Sequence, residues 1–266
     1  REPWQQALAQ AGIDRHATTA AVDARLWSRE PTFLNIEPTT RCNFNCWYCV
    51  GRHMEQADID ADDFARVLDH FPSVKAIALV GEGEPLMQWE LIRDAIKLIR
   101  SKTQKGIVNL NTNGSKPRAV EELFKAGLDS IRVSMNSAQP KWYESYFRPV
   151  GFSQNDAIES LTIASRYNRW ASINYFVMPG FTDTAEELTA LKNLIEKTDL
   201  NMIQWRNLNI DPDWLFGKTN FTGNSKPLGI RYVMDEIHRS YPSVYFGYFN
   251  PHYEVMHRWQ QQTGNS

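Results

Sequence analysis

This 266-residue chain has little cysteine: three residues, all within 42–49. An odd number packed so tightly cannot form a disulfide framework, which excludes the small stapled secreted folds and points to a reducing cytoplasm. Charge of one sign is also lacking. Lysine and arginine total 29 against 31 aspartates and glutamates, so no basic excess marks a nucleic-acid partner. Apolar runs such as 76–80 fall far short of the roughly 20 residues a membrane-spanning helix needs. The chain opens on Arg1 without the basic start, apolar stretch and small-residue cleavage site of a secretory leader. What is plentiful is core material: 42% hydrophobic residues and nine tryptophans, enough for one large domain.

Short β-rich runs alternate with amphipathic helical runs, the pattern of a parallel sheet wrapped by helices. The periodicity predicts strands over 32–39, 75–80, 106–112, 130–136, 170–178 and 202–209. Helices are expected over 62–71, 89–101, 117–126, 155–168, 184–197 and 229–240, the third ended by Gly127. Segment 211–228, rich in Gly, Pro and Asn, reads as a long loop. The expected fold class is therefore α/β, a partial (β/α)6 barrel with parallel strands over 31–241. A helical extension, 1–30, precedes it. A C-terminal extension, 242–266, packs on the core, its aromatic run 244–253 supplying an edge strand or a plug.

Side chains alternate between the faces of a strand, so each strand shows one set to the covering helices and the other to the barrel interior. Ile36, Val108, Leu110, Val133, Met135, Ile173, Val177, Ile203 and Trp205 form the helix-facing set. The other set is polar on five strands: Asn35 and Glu37; Asn109 and Asn111; Arg132, Ser134 and Asn136; Ser172 and Asn174; Gln204 and Arg206. Burying so many amides and charges unpaired would cost several kcal/mol, so the interior reads as a wet cavity. A buried polar network that only fixes register is the alternative.

Cys42, Cys46 and Cys49 follow the first strand in a CxxxCxxC run. A cubane iron–sulfur cluster normally takes four thiolates, so three ligands leave one iron open, and chemistry belongs at that vacancy. A structural zinc site completed by His53, and three buried thiols spaced by accident, are the competing readings. The loop's place at the carboxyl end of a strand, inside a domain with a large core, favours an active site.

The cysteine run resembles that of the radical S-adenosylmethionine superfamily, and three later features resemble its other motifs in order and spacing. Gly81-Glu82-Gly83-Glu84-Pro85 is similar to the family's Gly-Gly-Glu-Pro turn, with Glu82 in place of a glycine. Asn111-Thr112-Asn113-Gly114 resembles its Thr-Asn-Gly turn, and Ser134 and Asn136 fall where members contact ribose and the methionine carboxylate. Tyr48 and the segment from Phe176 to Met178 match positions that flank adenine. The resemblance implies a [4Fe-4S] cluster on Cys42, Cys46 and Cys49. It implies S-adenosyl-L-methionine held by Tyr48, Gly81, Gly83, Glu84, Asn111, Asn113, Ser134, Asn136 and Met178. It also implies an external one-electron donor such as flavodoxin or ferredoxin, and a 5′-deoxyadenosyl radical that abstracts hydrogen from a substrate.

No cysteine remains once the cluster is built, which removes auxiliary clusters, a methyl-accepting cysteine and a cysteine hydrogen donor. A small polar substrate between Asn109, Asn174, Gln204 and Arg206, rimmed by Asn209 and Asp211, is the preferred reading for an oxidoreductase or lyase. A polypeptide reached through the open side of the barrel is the alternative enzyme reading, and a structural zinc or electron-transfer protein the non-enzyme one. Arg206 either grips a carboxylate or phosphate or pairs with Glu37. Tyr143, Tyr146 and Arg148 either line the entrance or pack beneath a helix.

Overall fold

The computed structural model describes residues 33–247, apart from 50, 73, 104–105 and 223–225, together with Met256. The expected extension over 1–30 and most of 242–266 lie outside the described residues. Seven strands pair in sequence order, all parallel: β1 (Phe33–Ile36), β2 (Ala76–Leu79), β3 (Ile107–Thr112), β4 (Ser130–Ser134), β5 (Trp170–Val177), β6 (Met202–Asn207) and β7 (Tyr245–Phe246). β1 and β7 do not meet, so the sheet is an open, partial (β/α) barrel. The seventh strand is the edge addition that the aromatic run near 244 allowed for.

The described α-helices are α1 (Ala61–His70), α2 (Trp89–Lys102), α3 (Pro117–Ala126), α4 (Pro140–Phe147), α5 (Gln154–Arg166), α6 (Ala185–Thr198), α7 (Pro212–Thr219) and α8 (Ile230–Ser240). α3 has the predicted limits. Gly127 closes it in the left-handed region at φ 111°, with Gly127 N donating to Phe124 O and Leu128 N to Leu123 O. Most of the helix-facing set is sealed: Leu110, Val133 and Ile203 are fully buried, each worth roughly 1.5–3 kcal/mol of transfer free energy, while Val177 and Trp205 are half-buried.

The opposite face is graded. At the amino ends of the strands Ile107, Trp170 and Met202 form an apolar floor with Met256. Above it lies the polar set, and the register sets Asn109 beside Ser130, Asn111 beside Arg132, and Ser134, Asn174 and Gln204 in one row. Ser130 Oγ donates to Asn109 Oδ1 at 2.8 Å and Asn109 Nδ2 to Asn111 Oδ1 at 2.9 Å. The lower polar layer is thus the register-fixing network, while wet chemistry belongs nearer the carboxyl ends. The strands stop short of several predicted ends. Thr39, for example, leaves the sheet to bridge antiparallel with Asp58, freeing the chain for the cysteine loop.

Candidate active site

Four turns meet at the carboxyl ends of β1 to β4, and the first three are locked to one another. The base of the cysteine loop is held by Asp58, which accepts from Arg41 Nε at 3.1 Å and meets Arg41 again at 2.8 Å through its other oxygen. Gly83 packs so tightly under this loop that a Cβ there would lie 2.2 Å from Thr39 O and 2.8 Å from Arg41 O. Only glycine fits, a purely steric requirement of this turn. At Gly81 a Cβ would collide with the Glu37 carboxylate. Glu37 is turned toward the amides of Glu82 and Gly83, so the alternative in which it pairs with Arg206 does not hold.

Glu84 is buried, and its backbone N donates to Arg41 O at 2.8 Å. Its carboxylate accepts from Leu86 N at 2.9 Å, from Asn113 N at 2.6 Å and from the Thr112 hydroxyl. Burial pushes the carboxyl up to about 7, against the lowering effect of these donors. Asn113 completes the interlock. Its Nδ2 donates to Asn43 Oδ1 in the cysteine loop at 2.7 Å and its Oδ1 accepts from Ser115 N at 2.9 Å. Asn113, the expected cofactor contact, also ties the third turn to the cysteine loop.

Within that loop Cys46 is buried, Cys49 half-buried and Cys42 exposed. Phe44 N donates to Cys42 Sγ at 3.3 Å. Burial, then the neighbouring Cys49 and Cys42, push the Cys46 thiol up to about 12. Such a thiol stays protonated near neutrality until a metal's charge displaces the proton. Among the described residues no three His, Cys, Asp or Glu side chains close on one point as a single bound ion requires. Three thiols carried on one short loop are a soft donor set of the kind an iron–sulfur cluster takes.

Beyond the cysteines, Tyr48 packs on Tyr146 with ring centroids 4.8 Å apart, and Tyr146 meets Phe176 edge-on at 5.0 Å. Tyr143 and Tyr146 lie on the buried face of α4 itself, so they are packing and do not line an entrance. Asn136 is buried; its Nδ2 donates to Trp142 O at 3.3 Å, while its Oδ1 is buried with no partner among the described residues. A ligand hydroxyl would satisfy it. Ser134 lies beside Asn174 in the register, and Asn174 Oδ1 is likewise buried without a described partner. Met178 is buried at the end of β5. Gln204 is buried on the same face, while Arg206 and Asn209 are exposed at the rim. Asn109 is set apart from these by its buried network with Asn111 and Ser130.

Glu187 on α6 gave no signal as a site residue in the sequence. It is fully buried and accepts from Ser137 Oγ at 2.8 Å, Ala138 N at 2.7 Å, Gln139 Nε2 at 2.7 Å and the Tyr175 hydroxyl. Those donors fix the loop that carries Asn136. A Glu in a helix's first turn reads as ordinary dipole compensation, so only the fold reveals this role.

The radical SAM superfamily model matches residues 36–191, more than half of the chain. This chain belongs to the radical SAM superfamily. It is therefore a radical S-adenosylmethionine enzyme whose cofactors are a [4Fe-4S] cluster and S-adenosylmethionine. The GTP 3′,8-cyclase of Rhizobium etli is 28% identical over 185 residues, 65% of this chain and 52% of that protein. The probable GTP 3′,8-cyclase of Thermoplasma volcanium is 32% identical over 189 residues, 64% of this chain and 55% of that protein. The chain thus spans about half the length of these curated relatives. Among solved structures, Streptococcus suis SuiB bound to S-adenosylmethionine superposes with a TM-score of 0.61 at 16% identity, covering 96% of this chain and 62% of that one. HydG, a maturase of the [FeFe]-hydrogenase, gives 0.57 at 17% identity, covering 84% and 53%. These likenesses show the fold. The three grouped thiols, the steric need at Gly83 and the unpartnered Asn136 Oδ1 fit the radical SAM cofactors.

Proposed function

We propose that the carboxyl end of this barrel binds a small polar substrate beside S-adenosylmethionine and directs hydrogen abstraction from it. When bound, the cluster and S-adenosylmethionine supply a 5′-deoxyadenosyl radical by one-electron cleavage of the sulfonium, and that radical takes a hydrogen atom from the substrate. Cys42, Cys46 and Cys49 would hold three of the cluster's irons. Glu84 would accept from the methionine amino group and Asn136 and Ser134 would meet the ribose and carboxylate, with Tyr48, Met178, Asn113 and the backbone at Gly81 and Gly83 lining the rest of the cofactor site. Asn111, anchored by Asn109, supports that wall. Asn174, Gln204 and Arg206 orient the substrate, with Asn209 at the rim, in a pose that leaves one C–H within reach.

The polar row Ser134–Asn174–Gln204, lying above an apolar floor, carries this reading. A small polar substrate is in keeping with the name of the GTP 3′,8-cyclase relatives. No helix among the described residues is long and apolar enough to cross a membrane, and oxygen-sensitive chemistry of this kind suits a reducing cytoplasm. The test is anaerobic turnover with dithionite, with and without a small-molecule cell extract. Wild-type protein should form 5′-deoxyadenosine slowly alone and faster with extract. Arg206→Ala should retain the slow reaction and lose most of the stimulation, tenfold or more for a charged contact worth about 1.5–3 kcal/mol. Equal loss of both would make Arg206 part of the scaffold.

A further inference from the structure

Cys46 is the most enclosed of the three thiols, 6% exposed, and two phenols lead to it. Tyr48, two residues on, turns its hydroxyl to Cys46 Sγ, and the hydroxyl of Tyr146 on α4 meets that of Tyr48 in turn. The rings hold this arrangement. Tyr48 and Tyr146 lie 4.8 Å apart, and Tyr146 is edge-on to Phe147 at 4.9 Å and to Phe176 at 5.0 Å. Behind them α4 is clamped to the cysteine loop. Asn45 N donates to Phe147 O at 3.0 Å, Trp47 Nε1 to Ser145 O at 3.2 Å and Val150 N to Asn43 O at 2.9 Å, and Phe44 stacks on Phe147 at 4.3 Å. A phenol on the helix and a thiol on the loop are thereby held in one unit.

A phenol has one proton to give and lone pairs to accept with. Burial pushes both of these phenols well above the ordinary value of 10, so each keeps its proton. When an iron displaces the Cys46 proton, the sulfur becomes an acceptor only. That fixes the direction of the chain: Tyr146 donates to the Tyr48 oxygen and Tyr48 to the sulfur. Hydrogen bonds in series polarise one another in a water-poor site, so the second phenol strengthens the first as a donor. Cys42 differs, taking an amide of its own loop, Phe44 N, at 3.3 Å.

We propose that Tyr146 and Tyr48 form a hydrogen-bonded relay ending on the Cys46 thiolate that raises the reduction potential of the cluster. Tyr48 is the donor to the ligand, and Tyr146 is a positioning residue that acts through it. The inference rests on the cluster assignment above. In the step concerned an outside donor is oxidised by one electron, the cluster is reduced from the +2 to the +1 state, and no bond or proton changes hands. The added negative charge is shared by the thiolates, so a hydrogen bond to sulfur stabilises the reduced form more than the oxidised one. Without the relay the cluster is harder to reduce.

Dye-mediated redox titration of anaerobic, cluster-loaded protein, followed by the electron paramagnetic resonance of the reduced cluster, tests this. It is run without S-adenosylmethionine, so that a lost contact to that cofactor cannot move the result. Tyr48→Phe keeps the ring and removes the hydroxyl. Its equilibrium constant for reduction should drop about tenfold, a fall of ~59 mV in midpoint potential for one electron. Tyr146→Phe should show a smaller fall, and the double variant a fall no larger than that of Tyr48→Phe, because Tyr146 acts only through Tyr48. Reduced wild type exchanged into deuterium oxide should carry a deuteron coupled to the cluster that Tyr48→Phe lacks. Tyr146→Phe lies outside the loop and keeps the test available if Tyr48→Phe loads poorly. Potentials unmoved in both single variants overturn the proposal, as does a double variant whose shift is the sum of the two. Wild-type protein that holds no iron and sulfide, measured before any titration, overturns the cluster assignment and the relay with it.

Discussion

Glu84 shows how one residue can serve both fold and chemistry. Its oxygens gather Leu86 N, Asn113 N and Thr112 Oγ1, so it staples the second turn to the third, and burial raises its carboxyl to about 7. The raised value has a definite sign. Between the ordinary 4.5 and about 7 the folded chain keeps a proton that the unfolded chain has lost, so this group's contribution to stability is greatest below that window and declines as pH rises through it. In the proposed site cofactor binding runs the other way, because the ionised carboxylate is the form that accepts from the methionine amino group and low pH also protonates that amine. Affinity for S-adenosylmethionine should therefore fall as pH drops below about 7, and Glu84→Gln should bind more weakly with a flattened pH profile. Calorimetry across pH 6 to 8 on cluster-loaded protein checks both; a profile unchanged by the substitution would remove Glu84 from the cofactor site.

At the scale of elements, Arg100 of α2 illustrates the links that hold the layers in place. Its Nε donates to Gly127 O at 2.9 Å, an NH1 to Gly106 O at 3.2 Å, and its remaining nitrogen pairs with Asp129, which also accepts from Val108 N at 2.6 Å. Arg100→Ala leaves a largely buried carboxylate without its strongest counter-charge, so denaturant unfolding should show a loss of about 3–5 kcal/mol. A loss under 1 kcal/mol would mean that the pair contributes no more than a surface one. Core helices and strands were legible because period and caps agree, as in α3 with Pro117 at its start and Gly127 past its end. α4 was not legible: its aromatics Trp142, Tyr143, Tyr146 and Phe147 have weak helix propensity, and the last three pack on Phe44 and Tyr48 of the cysteine loop. α7 had a readable start, Asp211 capping Trp214 N ahead of Pro212, but Gly217 and the following turn residues gave the segment a loop's composition. Of the site, the cysteines, Gly83 and Glu84 were visible in the sequence because local spacing encodes them. The role of Glu187, and the bonds that tie Asn109 to Ser130 and Asn113 to Asn43, depend on contacts between distant segments and so leave no local pattern.

For the molecule as a whole, an open seven-stranded sheet, an apolar floor and a polar upper face direct chemistry to one end, where four interlocked turns present three thiols. Everything functional depends on those thiols carrying a cubane whose fourth iron accepts an outside ligand. The most direct measurement is electron–nuclear double resonance on the reduced, cluster-loaded protein mixed with S-adenosylmethionine labelled with ¹⁵N at the amine and ¹⁷O at the carboxylate. The account predicts couplings from both labels to a single iron, present in wild type and lost when any of Cys42, Cys46 or Cys49 becomes alanine. Absence of label coupling in a fully loaded wild-type protein, with a fourth protein ligand on that iron, would contradict it.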